Sequence, residues 1–404
     1  MVGATPQAVL LVTPRWTRNG GVGAHVQASA AALAGHGLSV EVMAAQVDEQ
    51  QSVPGVRIVH RPQLFDRQVS MHIRVGEALS NRPSVVHLHQ VDHPDLVDFM
   101  RAQAPVVISA HAYTACPSGV YYFSPGHECT RARGPVCFAN MLARGCAHGR
   151  NPRDMPSMYE RAGRGLEALR RADLAAVYSS SVDRHLAANG IERRAVIPLF
   201  STMTPRTGSG HEGRRRVVFA GRIVKPKGVD VLIRAIRDVA CELVICGEGR
   251  HLEAARGLAR RLGVEDRVDF RGWLGAEELA EELAQASVVV IPSLWPEPFG
   301  LVGIEAFAAG RPVVASATGG VADWLADGLN GVLVPPGDAP ALGRALTELL
   351  DDPRRQEAMG ERGRETVAAR FSAERHVAGL LAAYRAAAST WGSRAPLSGS
   401  RSPL

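Results

Sequence analysis

Two glutamates, Glu297 and Glu305, stand eight positions apart around the start of a predicted helix. The apolar run 287–291 before them predicts a buried parallel strand. The prolines that follow this run keep the next residues out of helix. Gly300 permits a tight turn, and residues 301–309 then show a helical pattern. We therefore expect the two carboxylates to flank a helix N-terminus.

The free backbone amides of a helix start suggest which chemistry this arrangement serves. The amides of Phe299, Gly300 and Leu301 are expected to bind an anion. One helical turn rises ~5.4 Å, so a carboxylate lies on either side of the anion site. A nucleoside diphosphate sugar has hydroxyls at both ends and phosphates between them. We expect Glu297 to bind the sugar and Glu305 the ribose, the alternative being that both are ordinary exposed acids.

Several motifs of this stretch occur together. They are Pro-Ser, Glu-Pro-Phe-Gly, the Glu-x7-Glu spacing, Ala-x-Ala-x-Gly-x-Pro-Val-Val-Ala and the later Gly319-Gly320. In combination they resemble the retaining glycosyltransferases of family 4. The resemblance implies an α/β chain of the GT-B type, with two doubly wound Rossmann-like domains facing a central cleft. It also implies a nucleotide-sugar co-substrate, and we expect no cofactor to be required.

A second motif, Gly221-Arg222 followed by Lys227-Gly228, resembles the Gly-Arg…Lys-Gly signature of the same family. Arginine can bind a diphosphate through two parallel hydrogen bonds, and lysine adds a compact charge. Arg222 and Lys227 are thus expected to stabilise the departing diphosphate without a metal ion. The alternative is a surface loop with solvated charges. Trp273, which follows a later strand, is expected either to stack on the nucleotide base or to lie in the core.

The N-terminal half contributes a glycine loop and a histidine. Gly20 and Gly21 lie between a predicted strand and helix, and the resemblance places them at the donor diphosphate; a plain turn is the alternative. His111 follows a buried strand, where ligands of such sheets gather. The resemblance makes it a catalytic residue that faces the sugar, and a neutral imidazole can donate a hydrogen bond there. Position 112 is alanine, so the acidic neighbour usual in the family is missing.

Residues 116–153 show no helix or strand period and predict a long loop on the acceptor side. The loop holds four cysteines, Cys116, Cys129, Cys137 and Cys146. No Cys-x-x-Cys pair occurs, so these thiols are only weak metal candidates and unpaired thiols are the simpler reading. Arginines continue through residues 144–171. They form either a solvated face or a contact with anionic lipid or an anionic acceptor.

Composition narrows the functional classes. The chain has 404 residues, 46% of them hydrophobic, and a formal net charge of +6. This charge is mild and no stacking-aromatic pattern accompanies it, so nucleic-acid binding is not expected. No run of eighteen apolar residues occurs, and the first residues lack the basic start of a signal peptide. We expect a cytoplasmic protein, with a peripheral position at the inner face of the membrane as a further option.

The alternation of strands and helices divides the chain into two domains. We expect residues 1–195 to form an acceptor domain, on which a helix at 371–388 packs back, and residues 212–370 to form the donor domain. Residues 389–404 are expected to be a disordered tail. The predicted reaction moves a hexosyl group to a hydroxyl acceptor with retention. Alternatives are a nucleotide-sugar 2-epimerase of the same fold and a non-catalytic nucleotide-sugar-binding subunit.

Overall fold

A computed structural model shows two parallel β-sheets linked by helices. It describes residues 6–17, 20–48, 52–76, 83–119, 122–124, 127–144, 146, 151–203 and 215–393. The predicted boundary between the domains falls close to residues 204–214, which lie outside this part of the chain. The limits 1–195 and 212–370 therefore stay predictions.

The first sheet has seven parallel strands in the order β3-β2-β1-β4-β5-β8-β9. Its strands are β1 (Ala8–Trp16), β2 (Ser39–Val47), β3 (Val56–His60), β4 (Val85–His89), β5 (Val106–Ala110), β8 (Leu174–Val177) and β9 (Arg194–Val196). Between them lie α1 (Gly21–Gly35), α2 (Met71–Val75), α3 (Pro94–Arg101), the short hairpin β6 (Tyr122–Ser124) and β7 (His127–Glu128), α4 (Pro135–Ala143), α5 (Met155–Arg171) and α6 (Ser180–Ala188).

The second sheet has six parallel strands in the order β12-β11-β10-β13-β14-β15. Its strands are β10 (Arg216–Ala220), β11 (Glu242–Cys246), β12 (Val268–Gly272), β13 (Val288–Ile291), β14 (Val313–Ser316) and β15 (Gly331–Val334). The helices are α7 (Val229–Ala235), α8 (Leu252–Leu262), α9 (Ala276–Ala284), α10 (Leu301–Ala308), α11 (Ala339–Leu350), α12 (Pro353–Arg370) and α13 (Ala373–Gly392).

Both sheets bury both of their faces. Along β1, Val9 and Leu11 belong to one apolar core, whereas Leu10 and Val12 belong to another on the opposite face. Because a strand places successive side chains on opposite faces, such strands are apolar at nearly every position. The central strands β4, β5 and β8 are buried throughout. The predicted doubly wound α/β class is confirmed.

Helix α13 packs on the first sheet although it follows the second. Its Tyr384 Oη lies 2.9 Å from His87 Nδ1, and its His376 donates from Nδ1 to the Pro198 carbonyl at 2.7 Å. The chain thus crosses between the sheets twice. The two crossings touch, because the Ser201 amide donates to the Phe371 carbonyl at 3.4 Å.

Two sequence predictions differ from the structure. The segment 116–153 was predicted as a loop, but it contains α4 and the hairpin β6–β7. Helix α4 turns Phe138 and Met141 inward, but Val136 and Leu142 are apolar and exposed, so its sequence shows no clear apolar period. Helix α13 continues to Gly392, so residues 389–392 are helical rather than part of a tail. Residues 394–404 lie outside the described part.

Candidate functional site

Glu297 and Lys227 form an ion pair in the loops that follow β13 and β10. Lys227 Nζ donates to both oxygens of the Glu297 carboxylate, at 2.7 and 2.9 Å. Ser293 Oγ and Trp295 Nε1, the latter at 3.1 Å, donate to the same Oε1 atom. The Glu297 side chain is only 3% exposed. Strands β10 and β13 are neighbours in the sheet, so the loops at their carboxyl ends meet, as expected for a ligand site of this topology.

Close backbone contact fixes the two loops against each other. Gly228 has φ +73°, and a Cβ at this position would come within 1.8 Å of the Pro292 carbonyl oxygen. The Leu294 amide donates to the Pro226 carbonyl at 2.8 Å. Only glycine allows both this conformation and this approach, so Gly228 sets the position from which Lys227 reaches Glu297.

The start of α10 is open. Gly300 adopts the left-handed conformation, with φ +88°, and no side chain caps the helix. Within the described part of the chain, the amides of Phe299 and Gly300 donate no hydrogen bond. The Phe299 carbonyl accepts from Trp324 Nε1 at 2.6 Å, which holds the turn in place. With Leu301, these residues form a helix N-terminus that can bind an anion.

Glu305 lies on the second turn of α10 and is half-buried. Its carboxylate has neither a hydrogen bond nor an ion pair in the part of the chain that the structure describes. Burial raises the pKa of the Glu305 carboxyl to about 7. A carboxyl that is partly withdrawn from water and has no partner is costly to ionise, so Glu305 can accept a hydrogen bond from a ligand.

Arg222 and Trp273 are both exposed. Arg222 shares the β10–α7 loop with Lys227, and no ion pair ties its guanidinium to another described residue. Trp273 follows the carboxyl end of β12 and is 48% exposed, which rules out the core alternative. Its stacking on a base and the phosphate role of Arg222 stay predictions.

His111 follows β5 and is half-buried. Its Nε2 lies 3.0 Å from His89 Nδ1, and its ring stacks on Tyr178 with centroids 5.0 Å apart. Burial and the neighbouring histidines hold the pKa of His111 well below its usual value, so the ring is neutral at physiological pH. The nearby Tyr113 Oη donates to the Glu297 carbonyl at 3.4 Å. The first sheet thus contacts the Glu297 loop directly.

Gly20 and Gly21 form the exposed start of α1. Gly20 has φ +85° and caps the helix without a side chain. A Cβ at either glycine would meet no atom within 4 Å, whereas one at Gly23 would meet the Thr17 carbonyl oxygen at 2.5 Å. The space beside the first two glycines is open to a ligand, and their contact with a diphosphate stays a prediction.

The four cysteines of the loop do not form a metal site in the structure. Cys116, Cys129, Cys137 and Cys146 are half-buried free thiols. Within the described ranges, no three or more histidine, cysteine or acidic side chains come together in a group that could hold a metal ion. Burial and the nearby Cys116, Cys137 and Cys129 raise the pKa of Cys146 to about 11, which favours the protonated thiol.

The segment 116–153 also contacts the half of the protein that holds the second sheet. Glu128 Oε1 accepts from the Gly319 amide at 2.8 Å and from Thr318 Oγ1 at 3.2 Å. Gly319 lies against the backbone of Glu297, so this carboxylate ends beside the site. A second contact between the two halves joins the Ser180 amide and hydroxyl to the Asp323 carboxylate, at 2.7 and 2.6 Å.

Sequence reasoning missed Glu128 and His89. The contact of Glu128 spans about 190 residues and leaves no local pattern. His89 did leave a signal, because His87-x-His89 ends a buried strand, and polar residues at such an end commonly face a ligand.

Known structures share this architecture. Sucrose-phosphate synthase from Thermosynechococcus elongatus superposes with a TM-score of 0.72 at 23% identity, covering 94% of this chain and 98% of that one. The Anabaena protein HepE in complex with UDP-glucose has a TM-score of 0.67 at 18% identity, with 96% and 100% covered. The fold is GT-B.

Residues 205–366 match the family model described as glycosyl transferases group 1. This segment carries Arg222, Lys227, Glu297 and Glu305. The GT-B chain is also similar to D-inositol 3-phosphate glycosyltransferase of Streptomyces avermitilis, with 42% identity over 157 residues, 35% of this chain and 34% of the relative.

A second relative is the GDP-mannose-dependent alpha-(1-6)-phosphatidylinositol monomannoside mannosyltransferase of Mycolicibacterium smegmatis. It is 39% identical over 173 residues, 40% of this chain and 45% of the relative. The GT-B chain therefore spans less than half the length of these curated relatives.

Proposed function

We propose that the protein is a retaining glycosyltransferase that moves a hexosyl group from a nucleoside diphosphate sugar to a hydroxyl acceptor. The observation that carries this proposal is the ion pair of Lys227 and Glu297 beside the open start of α10, with Glu305 unpaired one to two turns further. The two carboxylates can then accept hydrogen bonds from hydroxyls at the two ends of the donor. The open start of α10 between them has a positive potential that suits the phosphates. The group 1 match of residues 205–366 supports it.

The hydrogen bonds of Glu297 indicate how the sugar would bind. Its Oε1 accepts from Ser293, Trp295 and Lys227, whereas Oε2 accepts from Lys227 alone. A carboxylate oxygen can accept more than one hydrogen bond, so Oε2 keeps capacity for a sugar hydroxyl. Lys227 carries three N–H donors and can contact a phosphate while it stays paired.

Catalysis would depend on positioning and on charge. A retaining glycosidase places two carboxyl groups ~5–5.5 Å apart, one of them as nucleophile. Glu297 and Glu305 serve opposite ends of the donor in this proposal and form no such pair. The acceptor hydroxyl would attack from the face that the diphosphate leaves, with its proton passing to the departing phosphate oxygen. Arg222, Lys227 and the α10 amides would stabilise the charge on that oxygen.

The proposed reaction needs no metal ion. We expect the two cations and the helix start to take the role that a metal ion has in other transferases. The nucleotide sugar is then a co-substrate and no cofactor is needed. Adding a divalent cation should leave kcat unchanged.

A panel of nucleotide sugars tests the proposal. The true donor should raise Tm by mass action, and mixing it with candidate acceptors should release the nucleoside diphosphate and form a glycoside. An epimerised nucleotide sugar made without acceptor would favour the epimerase, and binding without any product would favour a non-catalytic subunit. If no nucleotide sugar shifts Tm at millimolar concentration, the proposal fails.

No described helix has the length and hydrophobicity needed to cross a membrane. Contact with a membrane surface would not need such a helix. Among the arginines of residues 144–171, Arg164 pairs with Asp92 and Arg171 pairs with Asp98 and Glu167, so the charges of these two are partly neutralised. Helix α4, in contrast, exposes Val136 and Leu142.

We propose that α4 provides the peripheral contact, because its exposed apolar side chains can enter the membrane interface and exposed Arg131, which precedes the helix, can attract anionic headgroups. The protein should float with vesicles that contain anionic phospholipid. The pair Val136→Asp and Leu142→Asp should abolish flotation, whereas Ile73→Asp, an equally exposed position on α2, should not. Flotation by the double variant would contradict this assignment.

A further inference from the structure

Two histidines meet where adjacent strands of the first sheet end. His89 is the last residue of β4 and pairs in register with Ser109 of β5. His111 follows β5 by one residue, so both imidazoles lie at the same edge of the sheet. His89 Nδ1 and His111 Nε2 are 3.0 Å apart, which is a hydrogen-bond distance.

Both rings are held in place by their neighbours. The His111 ring stacks between His89 and Tyr178, with centroid distances of 5.3 and 5.0 Å. The Tyr178 hydroxyl is in turn hydrogen-bonded to Ser109 Oγ. His87 Nε2 also contacts this serine at 2.7 Å. The orientation of His111 is thus fixed by a buried network rather than by solvent.

The hydrogen bond requires one donor and one acceptor. A neutral imidazole has one nitrogen of each kind, and burial with nearby histidines holds the pKa of both rings well below the usual value. The second nitrogen of His89, Nε2, is buried and has no partner within the described residues. A buried N–H without a partner is rarer and costlier than a bare acceptor. His89 therefore carries its proton on Nδ1 and donates it to His111 Nε2.

The tautomer of His111 follows from this assignment. Its Nε2 is the acceptor, so its single proton is on Nδ1. That atom makes no hydrogen bond to another described residue. We infer that His89 is a positioning residue that fixes the Nδ1–H tautomer of His111, so that His111 presents a donor to an oxygen of the substrate in the cleft. This inference rests on the proposed function for the identity of that substrate.

The sequence explains why a histidine, and not an acidic residue, orients His111. In many catalytic sites a carboxylate orients the imidazole, but position 112 is alanine. A carboxylate would also favour the charged imidazolium, which donates from both nitrogens. A second neutral histidine orients the ring and leaves it uncharged. His111 then acts as a hydrogen-bond donor at neutral pH and does not titrate.

Histidine ¹⁵N NMR of the intact protein tests the tautomer without any substrate. Long-range ¹H–¹⁵N spectra distinguish the two neutral forms, and comparison with His111→Asn identifies the His111 signals. The wild-type spectrum should show His111 protonated on Nδ1, and His89→Leu should shift it towards Nε2–H. A wild-type His111 protonated on Nε2 overturns the inference, whatever the protein catalyses.

Kinetics with the donor found by the panel provide the second readout. His89→Leu should lower kcat about 10–100-fold, as loss of the partner that orients a histidine does in metal sites, with little change in donor KM. His89→Asn should recover most of kcat, because an asparagine amide can place an N–H near the position of Nδ1. Equal losses in both variants would overturn the positioning role and leave only a packing role.

Discussion

Replacing Lys227 with methionine is expected to lower kcat about 10²–10³-fold, because the departing diphosphate loses a preorganised positive charge. The same change should also lower Tm. Glu297 would stay buried without its cation, and breaking a buried pair typically costs about 3–5 kcal/mol. Turnover at saturating donor and thermal unfolding measure the two effects separately.

Glu297→Gln in the Lys227→Met background separates the effect on kcat from the effect on Tm. A glutamine oxygen can still accept from Ser293 and Trp295, and no buried charge is left, so Tm should recover while kcat stays low. Lys225→Met is the matched control, because this lysine lies in the same loop and is exposed. It should change neither quantity.

Arg222→Ala tests the same charge without a folding effect, since the exposed guanidinium is in no ion pair with a described residue. Wild-type kcat in a variant that lacks both Arg222 and Lys227 would refute their role.

The second large effect concerns Glu305 and pH. Glu305→Gln should weaken nucleotide-sugar binding about 10–100-fold, since hydrogen bonds to a charged group contribute about 1.5–3 kcal/mol. The pKa of free Glu305 is raised to about 7, and ribose hydroxyls donate better to the ionised form. Wild-type affinity should therefore increase roughly tenfold between pH 6 and pH 8.

Calorimetry in buffers of different ionisation enthalpy should detect proton release on binding at pH 7. An intact nucleotide sugar is the right ligand, because its phosphates do not titrate in this range, unlike a terminal phosphate with a pKa near 6. The Glu305→Gln variant is the control and should show flat affinity and no proton release. The same pH dependence in this variant would show that another group titrates.

Ionisation of Glu305 should strengthen nucleotide binding, but it should lower the stability of the folded protein. A carboxyl whose folded-state pKa lies above the unfolded value of 4.5 favours folding below pH 4.5. That contribution is lost as the pH rises through about 7. Without nucleotide, Glu305→Gln should therefore exceed wild type in Tm at pH 8, and the difference should shrink towards pH 5.

Much of this fold was predictable because buried parallel strands are apolar at nearly every position. The apolar run 287–291 predicted a buried strand, and β13 is Val288–Ile291; the helical pattern of residues 301–309 corresponds to α10, Leu301–Ala308. Helix α4 was not predictable from periodicity, because its exposed Val136 and Leu142 blur the pattern.

The site was predictable as a set of residues but not as a set of contacts. Lys227 and Glu297 were both assigned to the donor, yet their pairing depends on how the Gly228 turn docks on Pro292. Two loops 64 residues apart meet there, and no local pattern encodes such a contact. The cross-cleft contact of Glu128 is long-range in the same way, whereas His89 left a signal because it ends a buried strand.

The protein has two lobes, each built around one of the sheets. The chain passes between them at Ser201 and at Phe371, and because these two segments touch, the lobes share a common pivot. Helix α13 is fixed to the first lobe by buried apolar side chains, so it turns with that lobe. The bridge from Ser180 to the Asp323 carboxylate joins the two lobes at another place, and a hydrogen bond to a charged group contributes about 1.5–3 kcal/mol. Opening the cleft about this pivot would have to break such bridges, but it would not require either lobe to unfold.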